Sequence, residues 1–213
     1  MYLPASFQQT DPQQIAALLR AYPLGLLVSH GSGGLQCSPL PFQFAPACGE
    51  HGVLKAHLAR ANPHWQALDG ADCLVVFQGE QGYVAPEWYP SKAASGRAVP
   101  TWNYAVVEVR GRARVVQDLA WLQAQLGELT AEHEGRRACP WSPADAPPDY
   151  LAAQLRAIVG LEITITGIDG KWKMSQNREP ADQAGVLAGL RDPADPHQQP
   201  GLAAMLAAST GQS

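Results

Sequence analysis

Lysine, histidine, arginine and asparagine stand close together at Lys55, His57, Arg60 and Asn62, inside the stretch VLKAHLARANPHW that runs from Val53 to Trp65. Strand alternation puts Lys55 and His57 on one face and Leu54, Ala56 and Leu58 on the other. Asn62 suits a helix N-cap and Pro63 the first helical position. Arg60 and the free N–H groups of that helix would then lie beside the strand end, where an anion is stabilised. The same residues also read as a solvated strand face followed by a plain cap. Local chemistry leaves both readings open.

Other chemistry is less well supplied. The histidines, at 30, 51, 57, 64, 133 and 197, show no compact ligand spacing, so no metal site is expected. Cys37, Cys48, Cys73 and Cys139 form no C-x-x-C pair and fit reduced thiols, with a Cys37–Cys48 bridge between neighbouring strands left open. Neither a G-x-S-x-G, a P-loop nor a G-x-G-x-x-G occurs. The formal charge of -4 gives no broad positive field for non-specific nucleic-acid binding, so DNA contact would need a local patch or a partner. Without a membrane-length apolar run or a signal-peptide pattern at MYLPASFQQT, a cytoplasmic protein is expected.

The elements that must position these residues follow from the chain of 213 residues, 46% of them hydrophobic, enough for one sizeable core. A helix is predicted over 11–22, with Asp11 as N-cap and Ile15, Leu18, Leu19 and Tyr22 on one face. Strands are expected at 24–29, 35–44 and 53–58, then a helix from Asn62 to near Gly70. Further strands are expected at 73–77 and 83–85, separated by a turn at 79–82, and at 102–109 and 112–116, with a break at Gly111. Between them, 86–101 reads as a long loop carrying Trp88, Lys92 and Arg97. Asp118 caps a helix whose Leu119, Leu122, Leu126 and Leu129 read as core packing, and Asp149 caps a shorter one. The alternation over 161–168 is the clearest strand, with Asp169-Gly170 as a hairpin turn into 171–174. Helices at 180–190 and 201–208 flank a polar, Pro-rich 192–200 and read as peripheral. The sum is a mainly β fold with flanking helices (α+β), six or seven antiparallel strands suited to a small barrel whose closure hides its edges.

Five segments in order carry more than any one alone: Tyr2-x-Pro4, LKAHLARANPHW at 54–65, YVAPEWYPSK at 83–92, VPTWNY at 99–104 and IVGLEITITGIDGKWKMSQNR at 158–178. Together they resemble the PaiB family, described as FMN-binding negative transcriptional regulators, over roughly residues 1–190. The resemblance implies a flavin-binding split barrel related to pyridoxamine phosphate oxidase, normally a homodimer with its flavin sites at the subunit interface. Residues 191–213 would be a polar segment and short helix outside that domain. By the same resemblance, Lys55, His57, Arg60 and Asn62 serve the phosphate and ribityl side of FMN, and Ser91 and Lys92 add to the anion pocket. Trp102, Asn103 and Tyr104 would serve the ring edge or interface, and Lys173, Ser175, Gln176 and Asn177 would form a polar cluster just after a strand that could reach a site in the partner subunit. Barrel packing for the tryptophans and a helix cap for Ser175–Asn177 are the structural alternatives.

No catalytic acid or base is identifiable, and a flavin enzyme needs none of its own, since flavin supplies the redox chemistry. Three functions follow: an FMN-binding regulator, a flavin-dependent oxidoreductase of the pyridoxamine phosphate oxidase type, or a split-barrel binding module without flavin. No segment resembles a recognition helix with a basic face.

Overall fold

The computed structural model describes residues 1–211. Eight strands form one sheet: β1 (Gln8–Gln9), β2 (Leu24–Gly31), β3 (Gly34–Pro41), β4 (Gln43–Ala45), β5 (Val53–Ala59), β6 (Asp72–Val84), β7 (Thr101–Val116) and β8 (Ile158–Lys173). Their order is β3-β2-β6-β7-β8-β5-β4, with β1 also on β8. The helices are α1 (Pro12–Ala21), α2 (Pro90–Ser95), α3 (Leu119–Glu134), α4 (Pro148–Arg156), α5 (Pro180–Arg191) and α6 (Pro200–Thr210). Two compact units are distinguished. Unit 1 holds Met1–Ile15, Gln78–Val107 and the chain from Asp169 onward; unit 2 holds Ala16–Phe77 and Glu108–Ile168.

In unit 2 the alternating apolar residues do what their period requires. β2 and β3 form a tight hairpin, antiparallel from Leu24↔Pro41 to Gly31↔Gly34, turning at Gly34 with φ 97. β5 pairs with β8 from Val53↔Thr164 to Ala59↔Ile158. Leu27, Leu54, Ala56, Leu58, Val75, Leu161 and Ile163 are buried in its core. Asp118 caps α3 by accepting from the Trp121 N–H at 2.8 Å. A Cβ on Gly160 would stand 2.4 Å from the Trp121 ring, so only glycine admits this approach of strand and helix. The leucine stripe of α3 is buried in part: Leu122 is buried together with Gln125, Leu126 and Leu129 are half-buried, and Leu119 is 55% exposed.

In unit 1, α5 packs against α2, α6 and the 3-10 turn Pro86–Trp88. A Cβ on Gly189 would meet the Trp88 ring at 2.3 Å, and the Trp88 indole donates to Asp195 at 3.0 Å. The C-terminal segment expected to be peripheral buries Leu202, Ala203, Leu206 and Ala207.

Five local expectations are corrected. Asp169-Gly170 is no hairpin: β8 runs through it, Gly170 pairs with Gln9 of β1, and a Cβ there would stand 2.9 Å from the Gln9 carbonyl. Glycine serves close approach here rather than a turn. For the same reason β7 passes Gly111 unbroken, where a Cβ would lie 2.5 Å from Ile163 Cγ2. β6 passes Gly79–Gly82 unbroken too, so segments read as separate strands are single long ones. The helix opened by Asn62 is only the 3-10 turn Pro63–Ala67. Too short for a helix dipole, it leaves Asn62 as a cap, accepting from the His64 N–H at 3.1 Å. Asp149 sits inside the first turn of α4 rather than at its cap. Cys37 and Cys48 are free and exposed.

That 3-10 turn delivers His64 into the core of unit 2. Its ring nitrogens lie 2.8 Å from Ser29 Oγ and 2.9 Å from Ser38 Oγ, and Asn62 Nδ2 donates to Ser38 Oγ at 3.1 Å. Burial lowers the His64 pKa below its ordinary 6.5, so the folded chain takes up a proton less readily than the unfolded chain. Above that ordinary value both states are neutral and stability is full; below it the unfolded state gains the proton and stability falls. The melting temperature is therefore expected to drop from pH 7.5 to 5.5, and His64→Gln is expected to flatten that slope. An equally steep slope in the variant would assign it to other groups.

Candidate functional site

The residues singled out by sequence fall into two sets, one in each unit. In unit 2, Lys55 and His57 do share a face of β5, and α3 covers it. Lys55 Nζ lies 3.0 Å from Glu128 Oε2, and His57 Nδ1 lies 2.9 Å from Gln125 Oε1. Gln125, 1% exposed, continues to Gln43 at 2.9 Å. Arg60 uses each guanidinium nitrogen on the protein: Nε donates to the Arg156 carbonyl, Nη1 to Gln117 Oε1 and Nη2 to the Ile158 carbonyl. It thus fastens the entry of β8 to the end of β5. Every cation of this set already has a protein acceptor, which lowers its capacity to hold a further anion.

The set in unit 1 differs. Trp102 and Tyr104 alternate outward on β7, while Asn103, between them, points inward and is 1% exposed. With Gln78, Gly79, Gln81, Ala105 and Val106, Trp102 and Tyr104 line a cavity of about 360 Å³. Trp102 is 47% exposed, its indole donating to Gln81 Oε1 at 2.6 Å and its ring meeting Tyr83 edge-on at 6.3 Å. Lys173 Nζ donates to Thr101 Oγ1 and to the Trp102 carbonyl. Lys171, read by sequence only as part of a strand, lies over the Tyr104 ring at 5.3 Å and the Tyr2 ring at 5.6 Å. Arg178 stacks on Tyr89 at 4.7 Å. Burial, then the positive charges of Lys171 and Arg178, lowers the Lys173 pKa.

Ser175 is buried and holds the left-handed φ of 61, uncommon outside glycine. It accepts from Asn103 Nδ2 at 2.9 Å, leaving Asn103 Oδ1 buried without a partner. Gln176 secures the bend by accepting from the Met174 N–H and donating to the Trp172 carbonyl. Ser175–Asn177 is therefore a strand-ending bend; α5 begins later, with Glu179 as its N-cap. Asn177 is exposed. Ser91 donates its N–H and Oγ–H to Asp182, and Lys92 pairs with Glu87 at 2.6 Å, so both are committed to acids.

Lys171, Arg178, Tyr2, Tyr83 and Gln81 were not singled out as site residues by sequence. Their signal was the spacing of Lys171 and Lys173, two residues apart on one strand face.

The group FMN implies is a planar ring with a polar edge and a phosphate monoester. An aromatic wall beside amide side chains, around a cavity of about 360 Å³, fits the ring. Cations without acid partners fit a negative group. Cys73, elsewhere, is no nucleophile: burial, then Asp72, pushes its thiol up to about 11.

A family model described as "Putative FMN-binding domain" matches residues 1–167. The chain is 30% identical over 198 positions to the protease synthase and sporulation protein PAI 2 of Bacillus subtilis, covering 92% of each chain. It is 33% identical over 228 positions to an uncharacterised protein of Emericella nidulans, covering 90% of this chain and 91% of that one. Among solved structures, the flavocytochrome Anf3 of Azotobacter vinelandii matches with TM-score 0.58 and 18% identity, over 78% of this chain and 69% of that one. An FAD- and heme-binding protein of Mycobacterium smegmatis matches with TM-score 0.56 and 20% identity, over 78% and 73%. Both share the fold.

Because Arg60 holds two carbonyls beside the start of β8, Arg60→Ala is expected to destabilise the protein by about 1 kcal/mol, discounted for its exposure. Arg60→Lys should restore little, since one ammonium cannot reproduce the fork. Denaturant unfolding checks both; full stability of the alanine variant would remove this structural role.

Proposed function

The chain belongs to the FMN-binding domain family whose model spans residues 1–167, a split-barrel family with FMN as cofactor, and from this premise we propose that it acts as a flavin-bound homodimer in the cytoplasm that regulates gene expression. The observation that carries the flavin assignment to a place is the aromatic cavity of unit 1, with Trp102 and Tyr104 as its wall and Gln78 and Gln81 as donors and acceptors at its rim. Bound there, FMN would supply hydride and electron chemistry. The protein's residues bind and orient the ring, and the indole of Trp102, fixed by Gln81, gives it a flat apolar surface.

The regulatory part is supported by the relative PAI 2 of Bacillus subtilis, whose name refers to protease synthesis and sporulation. A net charge of -4 disfavours direct operator binding, so the regulation proposed runs through a protein partner. The same charge favours a second reading, a flavin-dependent oxidoreductase, in which the flavin reacts with a small substrate rather than reporting redox state to a regulator. Among the described residues, no helix is long and apolar enough to cross a membrane.

Lys55, His57, Arg60 and Asn62 are the rival anchor for the flavin phosphate. Lys55 is paired with Glu128 and Arg60 uses each guanidinium nitrogen within unit 2, whereas Lys171 and Lys173 meet only neutral oxygens, so the unit 1 residues are the preferred anchor.

Purified protein incubated with FMN is expected to retain a visible flavin absorption band after gel filtration and to elute as a dimer. Trp102→Ala should weaken FMN binding by about 1 kcal/mol or more, roughly fivefold, and Lys55→Ala by less than twofold. A protein that stays colourless overturns the flavin reading. Bleaching of the band by reduced nicotinamide would favour the oxidoreductase over the regulator.

A further inference from the structure

We propose that Lys171, Lys173 and Arg178 form an oxyanion site in unit 1 that takes a phosphate monoester, either that of FMN or that of a second small ligand. The FMN arm rests on the flavin reading above; the site itself does not.

Lys171 and Lys173 stand two residues apart at the end of β8, and Arg178 follows in the same unit. Lys171 is 9% exposed; its ammonium donates to the Tyr2 carbonyl at 3.0 Å and otherwise faces the rings of Tyr2 and Tyr104. Lys173 reaches only the neutral oxygens of Thr101 and Trp102. Arg178 lies flat on Tyr89. None of the three makes an ion pair among the described residues. The acid that bears on Tyr89 is Asp182, and its two oxygens accept from the N–H and hydroxyl of Ser91.

This is an unusual balance. A buried cation is normally paired, because moving a charge out of water is costly. Even the more exposed Lys55, Lys92 and Arg114 meet acids, Glu128, Glu87 and Glu162. Here π faces and carbonyls give partial compensation while the like charges repel one another. That repulsion is what an oxyanion would relieve, and the depressed basicity of Lys173 is consistent with it.

The ligand class follows from size and charge. Lys171 is buried, Lys173 and Arg178 are half-buried, and the rings of Tyr2, Tyr104 and Tyr89 lie against two of them, which suits a compact anion rather than an extended polyanion. A phosphate monoester, with roughly two negative charges and three acceptor oxygens, matches two ammonium groups and a guanidinium fork.

The test compares FMN with riboflavin, and inorganic phosphate with chloride at equal ionic strength. The proteins are wild type, Lys173→Gln and Lys171→Met; affinity is read by fluorescence titration and phosphate protection by thermal shift. If the site holds the cofactor's phosphate, wild type prefers FMN to riboflavin by about 10-fold to 100-fold, and either variant erases most of that preference. If it holds a second ligand, FMN and riboflavin bind alike, while phosphate raises the melting temperature of wild type but not of the variants. The site is overturned if wild type shows neither behaviour, or if the variants leave both unchanged. Loss of phosphate protection in the variants of a protein that binds no flavin would overturn the flavin reading and keep the site. Should Lys171→Met fail to fold, Lys173→Gln, at an only half-buried position, carries the comparison.

Discussion

The continuity of β8 is the constraint on which the site depends. From Ile158 to Lys173 the strand never turns back, although its sequence contains the dipeptide that most strongly favours a hairpin. Gly160 and Gly170 explain how: each lies where a neighbouring side chain or backbone leaves no room for a Cβ, the Trp121 ring for one and Gln9 for the other. Had Asp169-Gly170 turned, Gly170 and Lys171 could not pair with Gln9 and Gln8 on β1, and Lys171 would not lie over Tyr2 and Tyr104.

Charge satisfaction separates the two sets of candidate residues more clearly than residue type does. Lys55, His57 and Arg60 look like an anion site when written as a string. In three dimensions α3 and the entry of β8 supply Glu128, Gln125, Gln117 and two carbonyls, turning the set into a fastening for secondary structure. Lys171 and Lys173 also donate to neutral oxygens, as Arg60 does, but no carboxylate pairs with either of them or with Arg178 among the described residues, and Lys171 and Arg178 lie against aromatic faces. A cation held by carboxylates contributes to the fold; one held by π faces keeps its field available to a ligand.

Flavin binding asks little of the chain in the way of catalytic groups, since the ring brings its own reactivity. The demands are a flat wall, a few polar groups and counter-charge, and unit 1 supplies all of them without a catalytic dyad. Strain at Ser175, in the bend that follows β8, stands beside Asn103 of β7, whose amide donates to Ser175 and whose Oδ1 is buried without a partner. Such features accumulate where a fold is shaped by something other than its own stability.

The ordered segments from Tyr2 to Arg178 were sufficient by themselves to identify the family, the cofactor and the mainly β, helix-flanked architecture. Most strands and helices were also legible, because burial imposes periods of two and 3.6 on the side chains. Three things lay beyond local reading. Glycines at 79, 82, 111 and 170 read as breaks, yet only the packing of neighbouring chain reveals close approach as their purpose at 111 and 170. Burial along β8 also changes character: odd positions are the buried ones from Val159 to Ile165, whereas near its end Lys171 and Trp172 are both buried. Finally, which cations are paired depends on acids and carbonyls remote in the chain, so the division between fastening and binding belongs to the tertiary structure alone.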